Sequence, residues 1–166
     1  RFNVYRDTRT EAQYNLGGMY ARGKGVPKDY KTAVKWWKLA AEQRVSSSYF
    51  NLALMYDQGK GVPQNYVTAA KWHTLAAEQG YAKAQLNLGV MYAKGDGVTQ
   101  DYKEAVKWYR LAAEQGYAPA QRNLGFMYKY GDRVTQDDKE AVKWYKLAAE
   151  QGYASAQYDL GVMYHN

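Results

Sequence analysis

Residues 84–98 read AQLNLGVMYAKGDGV. This stretch decides the fold, because the chain contains it in four versions and begins a fifth. Shifted by 36 positions it becomes AQRNLGFMYKYGDRV from Ala120. In the other direction it becomes SYFNLALMYDQGKGV from Ser48 and AQYNLGGMYARGKGV from Ala12, and AQYDLGVMYHN from Ala156 is a half copy. The segment after each full copy recurs as well: KTAVKWWKLAAEQ, VTAAKWHTLAAEQ, KEAVKWYRLAAEQ and KEAVKWYKLAAEQ. The repeats join without gaps. Self-similarity at a fixed period of about 20–50 residues is the signature of stacked structural units.

Each half of the repeat reads as a helix. Ala12, Leu16, Met19 and Tyr20 share one face at helical spacing, and so do Tyr30, Ala33, Trp37, Ala40 and Ala41. Asp29 and Asn65 are N-caps for the second helix, while Asp101 with Glu104 and Asp137 with Glu140 have capping-box spacing. Between the halves lies Gly-x-Gly-Val at Gly23, Gly59 and Gly95. Its glycines suit a tight turn with positive φ, and Val26, Val62, Val98 and Val134 plug the turn into the core. Gly17, Gly89, Gly125 and Gly161 fall inside a helix, where glycine costs about 0.5–1 kcal/mol relative to alanine. Their recurrence, with Ala53 the one substitute, predicts close approach of a neighbouring helix backbone.

The same grammar disposes of a nucleotide site. Gly18, Gly23 and Lys24 have the spacing of a phosphate-cradling loop, but Gly25 stands where a metal-holding Ser or Thr is needed. That motif requires a preceding strand, and here a helix precedes it. The copies of Gly18 are Leu54, Val90, Phe126 and Val162.

Composition narrows the chemistry further. The 166 residues include 18 Tyr, 5 Trp and no Cys, so disulfides and Cys-based zinc or nucleophile chemistry are excluded, while the redox compartment stays open. No apolar run approaches the roughly 18 residues of a membrane span. The net charge of +7 favours anionic partners without specifying their kind. The chain does not begin with Met and has no signal-peptide core, which suggests a processed or recombinant product.

The recurring A-x-x-x-L-G-x-M-Y-x-x-G-x-G-V-x-x-D-Y-x-x-A-x-x-W-Y-x-x-A-A-E-Q-G resembles the Sel-like repeat family, a relative of the tetratricopeptide repeats, over residues 12–166. The resemblance implies an all-α fold: a right-handed α/α superhelical solenoid of four 36-residue helix pairs plus one terminal helix. First helices would line the concave face and second helices the convex face. It also implies a non-enzymatic adaptor or scaffold that binds a protein or peptide segment, without cofactor or metal. For compartment it leans toward an exported bacterial protein, periplasmic or secreted. The expected organisation is an N-terminal segment 1–11 and one repeat domain, with repeats at 12–47, 48–83, 84–119 and 120–155 and a half repeat at 156–166. The N-terminal segment either caps the stack or belongs to what precedes it, and the half repeat serves as a cap or marks a longer array.

Three departures stand out. Arg44-Val45-Ser46 replaces Gly-Tyr-Ala, so the first inter-repeat turn is expected to differ. Arg133 replaces a turn glycine and Asp138 replaces a tyrosine, which marks the fourth turn as looser or adapted to a contact.

Few residues suggest chemistry. His73 stands where the other repeats carry Trp37, Tyr109 and Tyr145 and reads as a core ring; His165 has no matched ligand. The signatures of zinc proteases and penicillin-recognising enzymes are absent. Trp36, Trp72, Trp108 and Trp144 form a ladder that reads as inter-repeat packing, or as a stacking platform if exposed. A basic stripe runs along the second helices: Lys31, Lys35 and Lys38, then Lys103, Lys107 and Arg110, then Lys139, Lys143 and Lys146. Nucleic-acid or other phosphate binding is the alternative function it offers, and pairing with Glu42, Glu114 and Glu150 is the competing reading.

Groove positions carried over from the resemblance select Tyr14, Arg22, Phe50, Leu54, Leu86, Val90, Lys94, Arg122, Phe126, Lys129 and Tyr158. Framework residues hardly change between repeats, whereas these vary, combining apolar anchors with basic groups. That mixture suits a segment with apolar side chains and acidic or carboxylate groups. Beside them Asn15, Asn51, Asn87, Asn123 and Asp159 either bond a ligand's backbone or brace neighbouring helices. Membrane insertion is not expected, and oligomeric state is left open. Because Lys24 sits in a turn, Lys24→Ala should leave stability within about 0.5 kcal/mol and confer no loss of ATP binding; chemical denaturation and an ATP titration check this, and saturable ATP binding that vanishes in the variant would contradict it.

Overall fold

The computed structural model describes residues 4–131 and 135–165, and every regular element among them is an α-helix. In chain order these are α1 (Val4–Arg22), α2 (Tyr30–Glu42), α3 (Ser46–Gln58), α4 (Tyr66–Glu78), α5 (Ala82–Lys94), α6 (Tyr102–Glu114), α7 (Ala118–Tyr130), α8 (Asp138–Glu150) and α9 (Ala154–His165). The chain divides between Gln79 and Gly80 into two compact units. In the first, α1 packs on α2, α2 on α3 and α3 on α4. In the second, each of α5 to α8 packs on the helix that comes after it. Residues 4–11 run into the first repeat as part of α1. The expected departure at Arg133, and the turn valine Val134, lie outside the described residues.

The turn inside each pair is built from two kinds of backbone bond. Gly23, Gly59, Gly95 and Gly131 take φ of 68°, 65°, 81° and 63°, the left-handed region that a side chain strains. The amide after the glycine then donates to a methionine carbonyl: Lys24 to Met19 at 3.0 Å, Lys60 to Met55 at 3.0 Å and Asp96 to Met91 at 3.1 Å. Val26, Val62 and Val98 are half-buried, as plugs of the turn should be. The second helix opens where expected, with Asp29, Asn65, Asp101 and Asp137 accepting first-turn amides. The capping boxes are only half formed. Glu104 and Glu140 donate their amides to Asp101 and Asp137 at 3.2 and 3.0 Å, but their carboxylates turn to Lys107 and Lys143. The reason is that each cap's own amide is already engaged: Asp101 donates to Tyr92 O at 2.9 Å and Asp137 to Tyr128 O at 3.0 Å, as Asp29 and Asn65 do to Tyr20 and Tyr56.

The turn between repeats corrects one expectation. Arg44 adopts φ 62°, the same left-handed conformation as Gly80, Gly116 and Gly152 at 83°, 83° and 81°. Its amide donates to Ala41 O at 2.9 Å, matching Gly116 to Ala113 and Gly152 to Ala149, both at 2.9 Å. The first turn keeps its shape and a non-glycine bears the strain, which is of order 1–2 kcal/mol. Open space makes this tolerable, since a Cβ built on Gly116 or Gly152 meets nothing within 4 Å. Asp138 is accommodated as simply: Gln136 donates to its carboxylate at 3.4 Å, where Gln64 and Gln100 donate to the hydroxyls of Tyr66 and Tyr102 at 3.0 Å.

The helical glycines show why the pairs pack as they do. A Cβ on Gly17 would lie 2.5 Å from the indole of Trp37, one on Gly89 2.6 Å from the ring of Tyr109, and one on Gly125 2.8 Å from that of Tyr145. The carbonyls of Ala105 and Ala141 come next at 3.1 and 3.2 Å. Each second helix therefore seats an aromatic ring on a notch in the first helix. In the second repeat the corresponding pair is Ala53 with His73, a methyl opposite the smallest ring, and both are buried. Gly89→Val overfills this notch and should cost about 1–3 kcal/mol, the usual range for overpacking. An unchanged melting temperature in that variant would show that the ring has room to spare.

Candidate functional site

In the second unit the first helices α5 and α7 present side chains that the repeat framework does not need. Leu86 and Val90 of α5 are half-buried against a core of Ala105, Val106, Tyr109, Leu124 and Met127. One turn on, Val90, Lys94, Tyr102, Tyr109, Arg122, Asn123, Phe126 and Met127 line a pocket of about 320 Å³ with Ala93. Its floor is apolar and its rim carries two cations. Phe126 is 41% exposed and Tyr130 57%, and their rings lie 4.5 Å apart. Lys129 places its ammonium 5.2 Å from the Tyr130 ring. Exposed aromatics beside a basic rim are the composition of an anchor site.

Arg122 is already engaged. Its Nε donates to Asp159 Oδ2 of α9 at 2.7 Å, both side chains being partly buried. The arginine expected to face a ligand carboxylate thus has a carboxylate of its own chain beside it. Asp159 stands where the other repeats carry asparagine. Its charge, after burial, also helps push the Tyr145 hydroxyl well above the ordinary tyrosine range. Burial likewise raises Tyr109 to about 12, offset in part by its hydrogen bond with Asn123. That contact gives one rung of the asparagine ladder a bracing role.

The remaining selected residues are more scattered. In the first unit Tyr14 lines a separate cleft of about 620 Å³ with Glu11, Glu42, Gln43, Arg44 and Val45. Arg22 is exposed, with its guanidinium folded back over Gly18. Phe50 packs its ring 5.7 Å from that of His73, and Leu54 is half-buried. Tyr158 lies on α9 and is 73% exposed. Four of the eleven, Val90, Lys94, Arg122 and Phe126, come together in one pocket.

The second-helix surface is built differently from the stripe read in the sequence. Lys107 pairs with Glu104 at 3.1 Å and Lys143 with Glu140 at 2.9 Å, three residues earlier in the helix. Among the described ion pairs, Lys146 alone meets the glutamate four residues later, Glu150, at 4.0 Å. Arg110 instead donates to the Tyr128 hydroxyl and lies over its ring. Trp36, Trp72 and Trp108 are half-buried and Trp144 is buried, so this ladder packs rather than presenting stacking faces. Among the described residues no group of His, Cys, Asp and Glu could hold a metal ion, and no helix is long and apolar enough to cross a membrane.

Sequence reasoning missed a glutamine ladder. Gln115 donates to Gln85 at 2.7 Å and Gln151 to Gln121 at 2.8 Å, while Gln121 donates on to Ala113 O at 3.1 Å. The signal was present, since Gln43, Gln79, Gln115 and Gln151 recur 30 residues after Gln13, Tyr49, Gln85 and Gln121. Tyr49 breaks the row and stacks on Trp72 at 5.7 Å.

Repeated helix pairs with an invariant frame and variable first-helix side chains define an α/α repeat protein of the solenoid class. The sequence profile of the Sel1 repeat matches residues 10–45, 46–81, 82–117, 118–153 and 154–166, and the chain belongs to that family. A Sel1 repeat protein from Oxalobacter formigenes is 39% identical with a TM-score of 0.90, the match covering 98% of this chain and 67% of that one. The protective antigen c5321 of uropathogenic Escherichia coli, described as displaying an SLR fold, is 37% identical with a TM-score of 0.90. That match covers 96% of this chain but 34% of the other, so the chain spans about a third of that protein's length. Immunity protein Pa5087 of Pseudomonas aeruginosa is 25% identical with a TM-score of 0.61, over 89% of this chain and 54% of that one. A search among curated proteins found no match. Sel1 repeat proteins generally serve as protein–protein interaction modules without catalytic activity.

His73 has the properties of a core ring. It is 2% exposed, its Nδ1 has no hydrogen-bond partner, and burial lowers its pKa from 6.5 to about 4. The unfolded chain therefore takes up this proton near pH 6.5 while the folded chain resists it until about pH 4. Stability from this residue is complete above pH 6.5 and falls with pH through that window, by about 2 kcal/mol at pH 5. Denaturant melts of wild type and His73→Phe at pH 7.5 and 5 should show a smaller acid loss in the variant; equal losses would mean that the imidazole is solvated.

Proposed function

We propose that the chain is a non-enzymatic binding module whose first-helix surface on α5 and α7 holds a protein segment with a large apolar side chain next to an acidic group. The observation that carries this reading is the pocket of about 320 Å³ with an apolar floor and Lys94 and Arg122 at its rim. Phe126 supplies the exposed anchor surface, with Val90 and Met127 beside it. Lys94 steers and Arg122 orients the carboxylate, which shares the guanidinium with Asp159 or displaces it. The name immunity protein carried by a 25% identical relative fits a protein partner. Leu86 and Lys129 extend this surface along α5 and α7, and Tyr14, Arg22, Phe50, Leu54 and Tyr158 offer the same kind of surface on the other first helices.

Selection from a random peptide library should enrich segments with an aromatic or large aliphatic residue beside Asp, Glu or a C-terminal carboxylate. For a selected peptide, Phe126→Ala should cost about 2 kcal/mol, roughly thirtyfold in affinity. Asp159→Asn, which restores the residue carried at positions 15, 51, 87 and 123, should tighten binding severalfold and steepen its salt dependence, because Arg122 then has one carboxylate to serve instead of two. Lys35, Lys107 and Lys143 changed together to Ala should leave it nearly intact. If that triple variant abolishes binding while Phe126→Ala and Lys94→Ala do not, the recognition surface is the basic one and the anion-binding alternative replaces this reading.

A further inference from the structure

The carboxylate that holds the pocket's arginine has a second place to go. Tyr109 and Asn123 lie 36 residues before Tyr145 and Asp159, so the two pairs occupy the same positions in successive repeats. Both rings sit on the same kind of notch, Tyr109 2.6 Å from a Cβ on Gly89 and Tyr145 2.8 Å from one on Gly125. In the first pair the Tyr109 hydroxyl is hydrogen-bonded with Asn123. In the second pair that bond is not made. Asp159 turns Oδ2 to Arg122 Nε at 2.7 Å, and the Tyr145 hydroxyl is buried without a hydrogen-bond partner. Tyr145 is fully enclosed by the described residues themselves. A buried polar group without a partner is an exception that calls for an explanation. The charged and titratable groups that act on this hydroxyl are Asp159, Arg122 and Tyr130. Of these the carboxylate is the strongest acceptor, and the preceding repeat shows that a side chain at its position reaches a hydroxyl at this one.

We propose that Tyr145 is a positioning residue that makes the pocket selective for carboxylates: an incoming carboxylate takes Arg122, and Asp159 turns to accept a hydrogen bond from the Tyr145 hydroxyl. This rests on the reading of the pocket between α5 and α7 as a binding site. The exchange keeps every charge paired. The side chain of Asp159 is 17% exposed, so a carboxylate pushed off the guanidinium with no other donor would be poorly solvated, which is strongly unfavourable. The phenol supplies that donor through a charge-assisted bond, and its own hydroxyl gains a partner in the same step. A neutral amide competes too weakly for the guanidinium to move Asp159 and gains nothing from Tyr145. Tyr145 is not among the residues that line the pocket, so it acts through Asp159 and Arg122 rather than by contact with the ligand.

Two experiments on the full chain test this, the first without any ligand. Arg122→Ala releases Asp159, so the Asp159–Tyr145 bond should form in that variant and not in the wild type. Tyr145→Phe should then leave the urea midpoint unchanged or raise it in the wild type, where it removes an unpaired hydroxyl, and lower it in the Arg122→Ala background. Arg122→Gln serves as a second background, and circular dichroism checks that each variant is helical. The same shift with Tyr145→Phe in all backgrounds would mean that Asp159 does not reach the hydroxyl, and overturns the proposal whether or not the pocket binds a ligand. The second experiment titrates acetyl-Phe-Asp-amide and acetyl-Phe-Asn-amide into the protein by NMR. Tyr145→Phe should reduce the preference for the Asp peptide over the Asn peptide about tenfold, and this effect should disappear in the Asp159→Asn background. An unchanged preference would mean that the ligand takes another edge of the guanidinium with Asp159 still in place; the selectivity role is then overturned while the binding reading stands. If neither peptide binds the wild type or Asp159→Asn, the binding reading itself fails and the selectivity falls with it.

Discussion

The seat of an aromatic ring on a glycine notch is the contact on which the other features of this chain depend. Each helix pair has only 13-residue second helices with which to bury an apolar face, and isolated helices of that length are marginal in water. Removing one side chain from the first helix lets a Trp or Tyr ring lie against its backbone, gaining a large apolar burial for the modest cost of a helical glycine. The second repeat keeps the total volume by another division, with a methyl at Ala53 and an imidazole at His73. That exchange introduces a titratable group into the core, and its burial is what lowers the imidazole pKa.

Once the ring is seated, the polar groups of the interface have defined positions. The cap residue's amide meets a tyrosine carbonyl of the first helix, and the glutamine ladder ties α6 to α5 and α8 to α7. These bonds satisfy groups that would otherwise be buried without partners, and a buried group left unpaired costs more than a typical bond contributes. They also explain why the repeat changes so little at Asp, Tyr and Gln. Side chains on the outward part of the first helices carry no such duty and are free to vary.

Charge is distributed in keeping with this division. Lys107, Lys143 and Lys146 are offset by glutamates one turn away and stay solvated, so these pairs leave a surface of ordinary character. At the pocket between α5 and α7 the balance differs. Arg122 is held by Asp159, a residue contributed by α9, so the last helix sets how much positive charge the pocket presents. The ionic contact couples the end of the chain to the candidate site through one side chain.

Periodicity was enough to establish the helix pairs, their 36-residue spacing, the positive-φ glycines and the N-caps at Asp29, Asn65, Asp101 and Asp137, because each of these is a local property repeated along the chain. The helical glycines were legible as packing positions, and at Gly89 and Gly125 a backbone carbonyl of the neighbouring helix does come close; that an aromatic ring lies closer still was decided by tertiary structure. Arg44 misled, since a backbone conformation is set by the turn's hydrogen bonds, and a non-glycine residue takes it where its side chain has open space. The candidate site was legible only as a face. That Val90, Lys94, Arg122 and Phe126 share one pocket, that Tyr102 and Tyr109 help to wall it, and that Arg122 is paired with Asp159 were decided by tertiary structure. Those contacts join residues of different helices, and the repeat pattern, which records what each helix needs in order to stack, carries no record of which variable side chains meet.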